Sequence, residues 1–249
     1  MAFQKGNVPW NKVGLTTTCA ICGTVFPTAK SYLKSGRKCC STKCANQYRS
    51  KFYRIVYPNL QPSPELSYVI GVLIGDGCIS NYHGKYSVIL NVTDETFALS
   101  FKTALRRLGL HPRLNSSIPK TKSRRYFRVT AMSKTFAEWY IQLRPEDILS
   151  IAKSFPLEFL RGFYEAEGTA TGHRLCVFNT QPWKLEIYQE LLHSLDFNTS
   201  HLSYPRIPPS KAAHELHILG GQPEQARFLH SVNPCIKWGR HASRISDRI

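Results

Sequence analysis

A nine-residue pattern occurs twice in this chain, 91 residues apart, and both copies carry the same local instructions. Val69-Ile70-Gly71-Val72-Leu73-Ile74-Gly75-Asp76-Gly77 is echoed by Leu160-Arg161-Gly162-Phe163-Tyr164-Glu165-Ala166-Glu167-Gly168. Each is an apolar helical run with small residues four apart, Gly71/Gly75 and Gly162/Ala166, closed by a carboxylate and a glycine. Small residues at i and i+4 lay a smooth stripe along one helix face, so two backbones can approach closely. A glycine directly after the last helical residue is the usual left-handed stop, which is the expectation for Gly77 and Gly168. The carboxylate runs against the local field, because a helix C-terminus carries negative partial charge and disfavours an acid. Two such helices side by side bring Asp76 and Glu167 together. A divalent metal between them offsets the repulsion.

The body of the chain reads as two copies of one unit. Ser63 is a suitable N-cap for the first motif helix, with Pro64 at its first position. Residues 85–93 alternate, with Val88, Leu90 and Val92 on one face and Lys85, Ser87 and Asn91 on the other, as in a half-buried strand. A helix is predicted over 94–108 and stops at Gly109. A strand over 124–130 turns Phe127 and Val129 inward and Arg124, Tyr126, Arg128 and Thr130 outward. A helix over 134–143 closes the first copy. In the second copy, 174–180 and 214–219 are strands, and 184–195 and 223–232 are helices. The order is α+β with antiparallel hairpins, not alternating parallel units. Phe127, Phe163 and Phe178 are expected in the core. His173, His201, His214 and His217 are read as surface or groove contacts, not as metal ligands.

Lys and Arg number 33 against 16 Asp and Glu, a net +17, which implies a polyanionic partner, nucleic acid above all. Residues 1–60 hold ten Lys or Arg and no acid, leaving +7 for the other 189 residues. No long apolar run or signal-peptide pattern is present, so an intracellular protein off the membrane is expected. Five of eight cysteines lie between Cys19 and Cys44, as Cys19-x2-Cys22 and Cys39-Cys40-x3-Cys44. Two close pairs across a hairpin-length spacer read as a tetrahedral Zn²⁺ site stapling a segment too small to fold on its own apolar burial. Residues 37–44 are similar to the second knuckle of short zinc fingers, which makes Cys19, Cys22, Cys40 and Cys44 the ligands and Cys39 a neighbour. Cys78, Cys176 and Cys235 are scattered and read as small packing residues.

The two motifs resemble those of the LAGLIDADG homing endonucleases, in the monomeric form with two motifs per chain, over about residues 64–240. The first copy departs from the family pattern at Ile74, where an acid is common, and the second carries Glu at both acid positions. The resemblance implies two pseudo-symmetric αββαββα units, with antiparallel saddle-shaped sheets packed through the motif helices. On this reading the chain divides into a basic N-terminal region with a four-cysteine zinc finger (1–57), a linker (58–63) and two LAGLIDADG units (64–150 and 151–249).

The function implied is a site-specific DNA endonuclease that makes a double-strand break at a long, weakly palindromic site, as in intron homing. Asp76 and Glu167 hold Mg²⁺ or Mn²⁺, helped by the carbonyls of Gly75 and Ala166, and each carboxylate serves one strand. The family's polar water-orienting positions fall on Asp94 and Gln181. Its basic active-site residue falls on Lys237, with Lys153 the nearest equivalent in the first copy. Outward residues on antiparallel strands can read base edges in a major groove, Arg at guanine and Asn at adenine. The candidates for DNA contact are Lys85, Asn91, Arg113, Arg124, Tyr126, Arg128, Arg174, Arg206 and Lys211. Lys5, Trp10 and Lys12 join them from a segment similar to the small DNA-binding motifs appended to mobile-intron nucleases. The alternatives are an intron maturase that binds host intron RNA and a non-catalytic DNA-binding regulator. The second has no use for two facing carboxylates beside phosphates. Intein excision is disfavoured, since the chain runs from Met1 to Ile249 without splicing nucleophiles.

Overall fold

The computed structural model describes residues 15–29, 36, 38–52, 57–118, 124–171, 174–204 and 212–236. The chain divides into two units, 1–56 and 57–249. In the first, strands β1 (Thr16–Thr18) and β2 (Val25–Pro27) form an antiparallel hairpin, followed by helix α1 (Thr42–Phe52). Cys19, Phe26, Cys39 and Cys44 form its small core.

The second unit repeats one element order. α2 (Pro64–Ile74), β3 (Gly77–Tyr82), β4 (Lys85–Val92), α3 (Glu95–Arg107), β5 (Arg113–Ser117), β6 (Tyr126–Met132) and α4 (Lys134–Gln142) make the first copy. An unanticipated helix, α5 (Pro145–Ser154), follows it, burying Ile148 and Ala152 and accepting a hydrogen bond from Ser67 at the Ile151 carbonyl. The second copy is α6 (Pro156–Glu167), β7 (Gly168–Thr171), β8 (Arg174–Asn179), α7 (Pro182–Ser194), β9 (Thr199–Tyr204), β10 (Ala213–Ile218) and α8 (Gly221–Val232). The sheets have the same order, β3-β4-β6-β5 and β7-β8-β10-β9, and every pairing is antiparallel.

Local chemistry sets the helix ends. The Ser63 hydroxyl accepts from the Leu66 amide at 3.2 Å, and Pro64 fills a first-turn position that needs no N–H donor. Asp94 caps α3 by accepting from the Phe97 amide at 2.9 Å. Gly109, at φ +84°, ends that helix in the left-handed region.

The motif glycines behave otherwise, correcting the expected left-handed stop. Gly168 is extended (φ −73°, ψ 154°), and Gly77 is not among the glycines of positive φ. What requires glycine at both places is space. A Cβ on Gly77 would lie 2.8 Å from Leu73 Cδ2, and one on Gly168 would overlap the Tyr164 ring. The interior small residues let α2 and α6 cross backbone to backbone. A Cβ on Gly71 would strike the Phe159 carbonyl oxygen, and one on Gly162 the Tyr68 carbonyl oxygen. The core surrounds this crossing, with Ile70, Val72, Phe159 and Phe163 fully buried. Two other expectations fail. Phe178 is 38% exposed, and Cys78 is exposed and so not a packing residue.

Candidate active site and nucleic-acid face

The helix crossing fixes where the motif carboxylates emerge. Gly75 sits against Ala166, and its Cβ position lies 3.2 Å from Glu167 Cγ, so the two motif ends are neighbours. Glu167 is the last residue of α6, whereas α2 stops at Ile74 and Asp76 lies just beyond it, exposed. Each acid therefore sits beside the backbone carbonyls of a helix C-terminus, an oxygen-rich edge suited to a hard divalent cation.

Around Asp76 a cavity of about 240 Å³ is lined by Asn91, Thr93, Asp94, Tyr126, Glu165 and Ile236 among others. Asp94 reaches this cavity while its Oδ1 caps α3, so its carboxylate already has a structural task. Around Glu167, Asn179 donates from Nδ2 to Oε1 at 2.8 Å, and Asn179 Oδ1 accepts from the Gln181 amide at 2.9 Å. The Gln181 side chain is turned to the Trp183 indole N–H at 3.1 Å. Gln181 thus reaches Glu167 through Asn179, the polar neighbour that the sequence did not single out. Lys237 lies outside the described residues. Lys153 pairs with Glu190 at 2.6 Å on α5 and α7, not with a motif carboxylate.

Among the described residues, a cation that sits at the motif ends is Lys184, on the first turn of α7. Its Nζ donates to the Ile74 carbonyl at 2.5 Å. Burial lowers its pKa, against the opposing attraction of Glu167, which favours the charged form. Nothing in the local sequence marks Lys184, since only the packing of α7 against α6 brings it there.

Glu165, the other acid of the second motif, is buried and spoken for. It accepts from the Tyr68 hydroxyl at 2.6 Å and from the Cys235 amide at 2.7 Å, tying α2 and the segment after α8 to α6. Tyr68→Phe leaves that buried carboxylate short of a donor and is expected to lower unfolding stability by about 1–3 kcal/mol, as read by denaturant titration. An unchanged midpoint would contradict this anchoring role.

Strand register sorts the candidate contacts. Asn91 pairs with Arg128, which pairs with Asn115, and Ile89 pairs with Thr130, which pairs with Arg113. Side chains alternate along strands, so Lys85, Asn91, Arg113, Tyr126 and Arg128 share one face, opposite buried Val88, Leu90 and Val129. Asn115 belongs to the same exposed row and was not anticipated. Arg124, just before β6, and Arg174, at the start of β8, are exposed. Lys5, Trp10, Lys12, His173, Arg206 and Lys211 lie outside the described residues. His217 is buried, which corrects its reading as a groove contact.

In the N-terminal unit, the thiols of Cys19, Cys22, Cys40 and Cys44 lie within 4.8 Å of one another, with Cys22 to Cys40 at 3.5 Å and Cys40 to Cys44 at 3.8 Å. A tetrahedral zinc–thiolate centre sets sulfur separations of about 3.8 Å, so these residues fit the ion. Cys39 is not part of the cluster. The Cys22 backbone N–H, working against burial, is the main reason that the Cys19 thiol is lowered to about 5.

Residues 63–143 and 154–232 each match the LAGLIDADG-like domain. Two uncharacterized proteins of Methanocaldococcus jannaschii are similar. MJ0398 is 35% identical over 159 residues (63% of this chain, 58% of that protein), and MJ0314 is 32% identical over 115 residues (45% and 43%). The alignments thus span about half the length of these relatives. Among solved structures, a variant of the homing endonuclease I-DmoI superposes with a TM-score of 0.53 at 21% identity, over 68% of this chain and 94% of that one. Full-length DUF199/WhiA from Thermatoga maritima gives 0.52 at 15% identity, over 77% and 62%. I-DmoI has been crystallised in complex with DNA and Mn.

Proposed function

The chain belongs to the LAGLIDADG-like domain family, and on that premise we propose that it is a site-specific DNA endonuclease that cuts both strands with Mg²⁺ or Mn²⁺. The observation that carries this reading is the placement of Asp76 and Glu167 at neighbouring helix ends beside a sheet face that bears Arg113, Arg128, Asn91 and Asn115. Likeness to solved structures at 15–21% identity is a likeness of fold, so the case for catalysis rests on the two carboxylates.

Asp76 and Glu167 would hold the divalent ions, with carbonyls of the Gly75 and Ala166 turns as further oxygen donors. The ions supply Lewis-acid stabilisation of the phosphodiester and lower the pKa of a water. Asn179 orients the Glu167 carboxylate, Asn91 and Asp94 edge the space beside Asp76, and Lys184 contributes positive charge between the two ends. The sheet face places the duplex: arginine to guanine and asparagine to adenine are the bidentate pairs that a major groove permits. The N-terminal unit is a four-cysteine zinc module whose basic residues add affinity through phosphates without reading sequence. No helix among the described residues is long and apolar enough to cross a membrane.

Arg128→Ala is expected to relax base preference at one or two positions of the selected site, by about 1–3 kcal/mol of discrimination. Competition between the selected duplex and single-base variants measures it, and uniform weakening at every position would make Arg128 a phosphate contact instead. The Cys19–Cys44 cluster should contribute one Zn²⁺ per chain by elemental analysis. Cys40→Ser should remove it, and Cys39→Ser should leave it in place. A zinc content left unchanged by Cys40→Ser would exclude this ligand set.

A further inference from the structure

The outward face of the second sheet carries a cluster that the nuclease reading does not use. Cys176 on β8 stands opposite His217 on β10, and Glu215 is two residues before His217 on the same strand, so all three side chains share a face. It is the face away from the core residues Leu175, Val177 and Leu216. Yet Cys176, Glu215 and His217 are 3%, 9% and 7% exposed. Their donor atoms lie within 4.8 Å of one another. His217 Nε2 is 3.0 Å from Glu215 Oε1 but lacks the direction of a hydrogen bond, and among the described residues it has no hydrogen-bond partner. A buried ring nitrogen that faces a carboxylate without hydrogen-bonding it is poorly satisfied, and a cation held by both groups would satisfy it.

We propose that Cys176, Glu215 and His217 form a second metal site, a cross-strand centre for Zn²⁺ separate from both the motif carboxylates and the N-terminal cysteines. A thiolate, an imidazole and a carboxylate suit a borderline-soft ion that prefers tetrahedral geometry, not Mg²⁺ or Ca²⁺. Zinc bond lengths set ligand separations of roughly 3.3–3.8 Å, a few tenths of an ångström more than the 3.0 Å between His217 Nε2 and Glu215 Oε1 and inside the 4.8 Å that bounds the cluster. Binding releases the Cys176 thiol proton to solvent. The charges of Zn²⁺, thiolate and carboxylate then cancel around a neutral imidazole, which suits a buried site. The Tyr204 hydroxyl, hydrogen-bonded to Glu215, holds the carboxylate from outside, as partners of metal ligands commonly do. Three protein ligands leave a fourth position for water on the exposed side of the sheet. The ion pins β8 to β10 across the middle of the sheet, fixing the register of the strand that begins at Arg174.

The test uses cobalt(II) as a spectroscopic stand-in for zinc in the full chain carrying Cys19→Ser, Cys22→Ser, Cys40→Ser and Cys44→Ser. One Co²⁺ per chain should bind with the visible bands of a tetrahedral ion and a sulfur-to-cobalt charge-transfer band. Adding His217→Gln or Cys176→Ala should abolish both. No tetrahedral spectrum, or one that survives both substitutions, overturns the site and leaves a hydrogen-bonded polar cluster. If the four-serine chain does not fold by circular dichroism, zinc content decides. Wild type should hold one equivalent more than His217→Gln, and equal contents overturn the proposal. Because the readout is metal binding, it stands or falls apart from DNA cleavage.

Discussion

Asp76→Asn, or Glu167→Gln, should lower Mg²⁺-dependent double-strand cleavage by about 10³-fold or more, close to 4 kcal/mol of barrier. Target affinity should change little. On the proposed reading each substitution removes a charged oxygen ligand at a helix end whose remaining donors are weaker, while the sheet face with Arg113 and Arg128 is untouched. On that reading each acid serves one strand, so residual product should be nicked rather than linear DNA. A gel assay separating supercoiled, nicked and linear plasmid, beside a filter-binding titration, reads both quantities. Linear product at the wild-type rate from both variants would remove the carboxylates from the mechanism. Replacing Mg²⁺ by Ca²⁺ should preserve binding and suppress cutting, since Ca²⁺ takes looser, higher coordination.

The second large effect is on folding. Gly71→Val or Gly162→Val places new carbon atoms on a backbone carbonyl of the facing helix, at Phe159 or Tyr68, where no flexible side chain can give way. Overpacking commonly costs about 1–3 kcal/mol, and at a backbone contact in the centre of the core about 3 kcal/mol or more is expected. Moving α2 from α6 would also separate the carboxylates, so cleavage should fall with stability. Urea denaturation measures the loss. A Val variant with an unshifted midpoint would mean that the helices do not cross as closely as described.

The parts of this fold that could be read in advance share one property: their signal is local. The cap at Ser63, the stop at Gly109 and the alternation of Val88, Leu90 and Val92 depend on immediate neighbours and on one buried face. In the second unit the strands that escaped notice, β3, β5, β7 and β9, are all sheet edges, with β4, β6, β8 and β10 between them. Edge strands do not need an apolar alternation, and β5, Arg-Leu-Asn-Ser-Ser, is almost wholly exposed. The motif glycines were visible, but their reason was not, because a clash between Gly168 and Tyr164 is a property of packing rather than of φ. Tertiary packing also hid Lys184, on a helix whose sequence gives no hint of the Ile74 carbonyl it meets. Cys176 and His217 lie 41 positions apart and meet only through the pairing of β8 with β10.

The most direct test of the nuclease reading is incubation of the full chain with a randomised duplex library in Mg²⁺, followed by recovery and sequencing of cleaved ends. The two carboxylates and the basic sheet face predict one long, weakly palindromic consensus cut on both strands, lost with Asp76→Asn and with Glu167→Gln. Structured intron RNA should compete poorly for that duplex at physiological salt. No enrichment of cut duplexes, together with preferential binding of the RNA, would contradict the nuclease and point to an RNA-binding maturase.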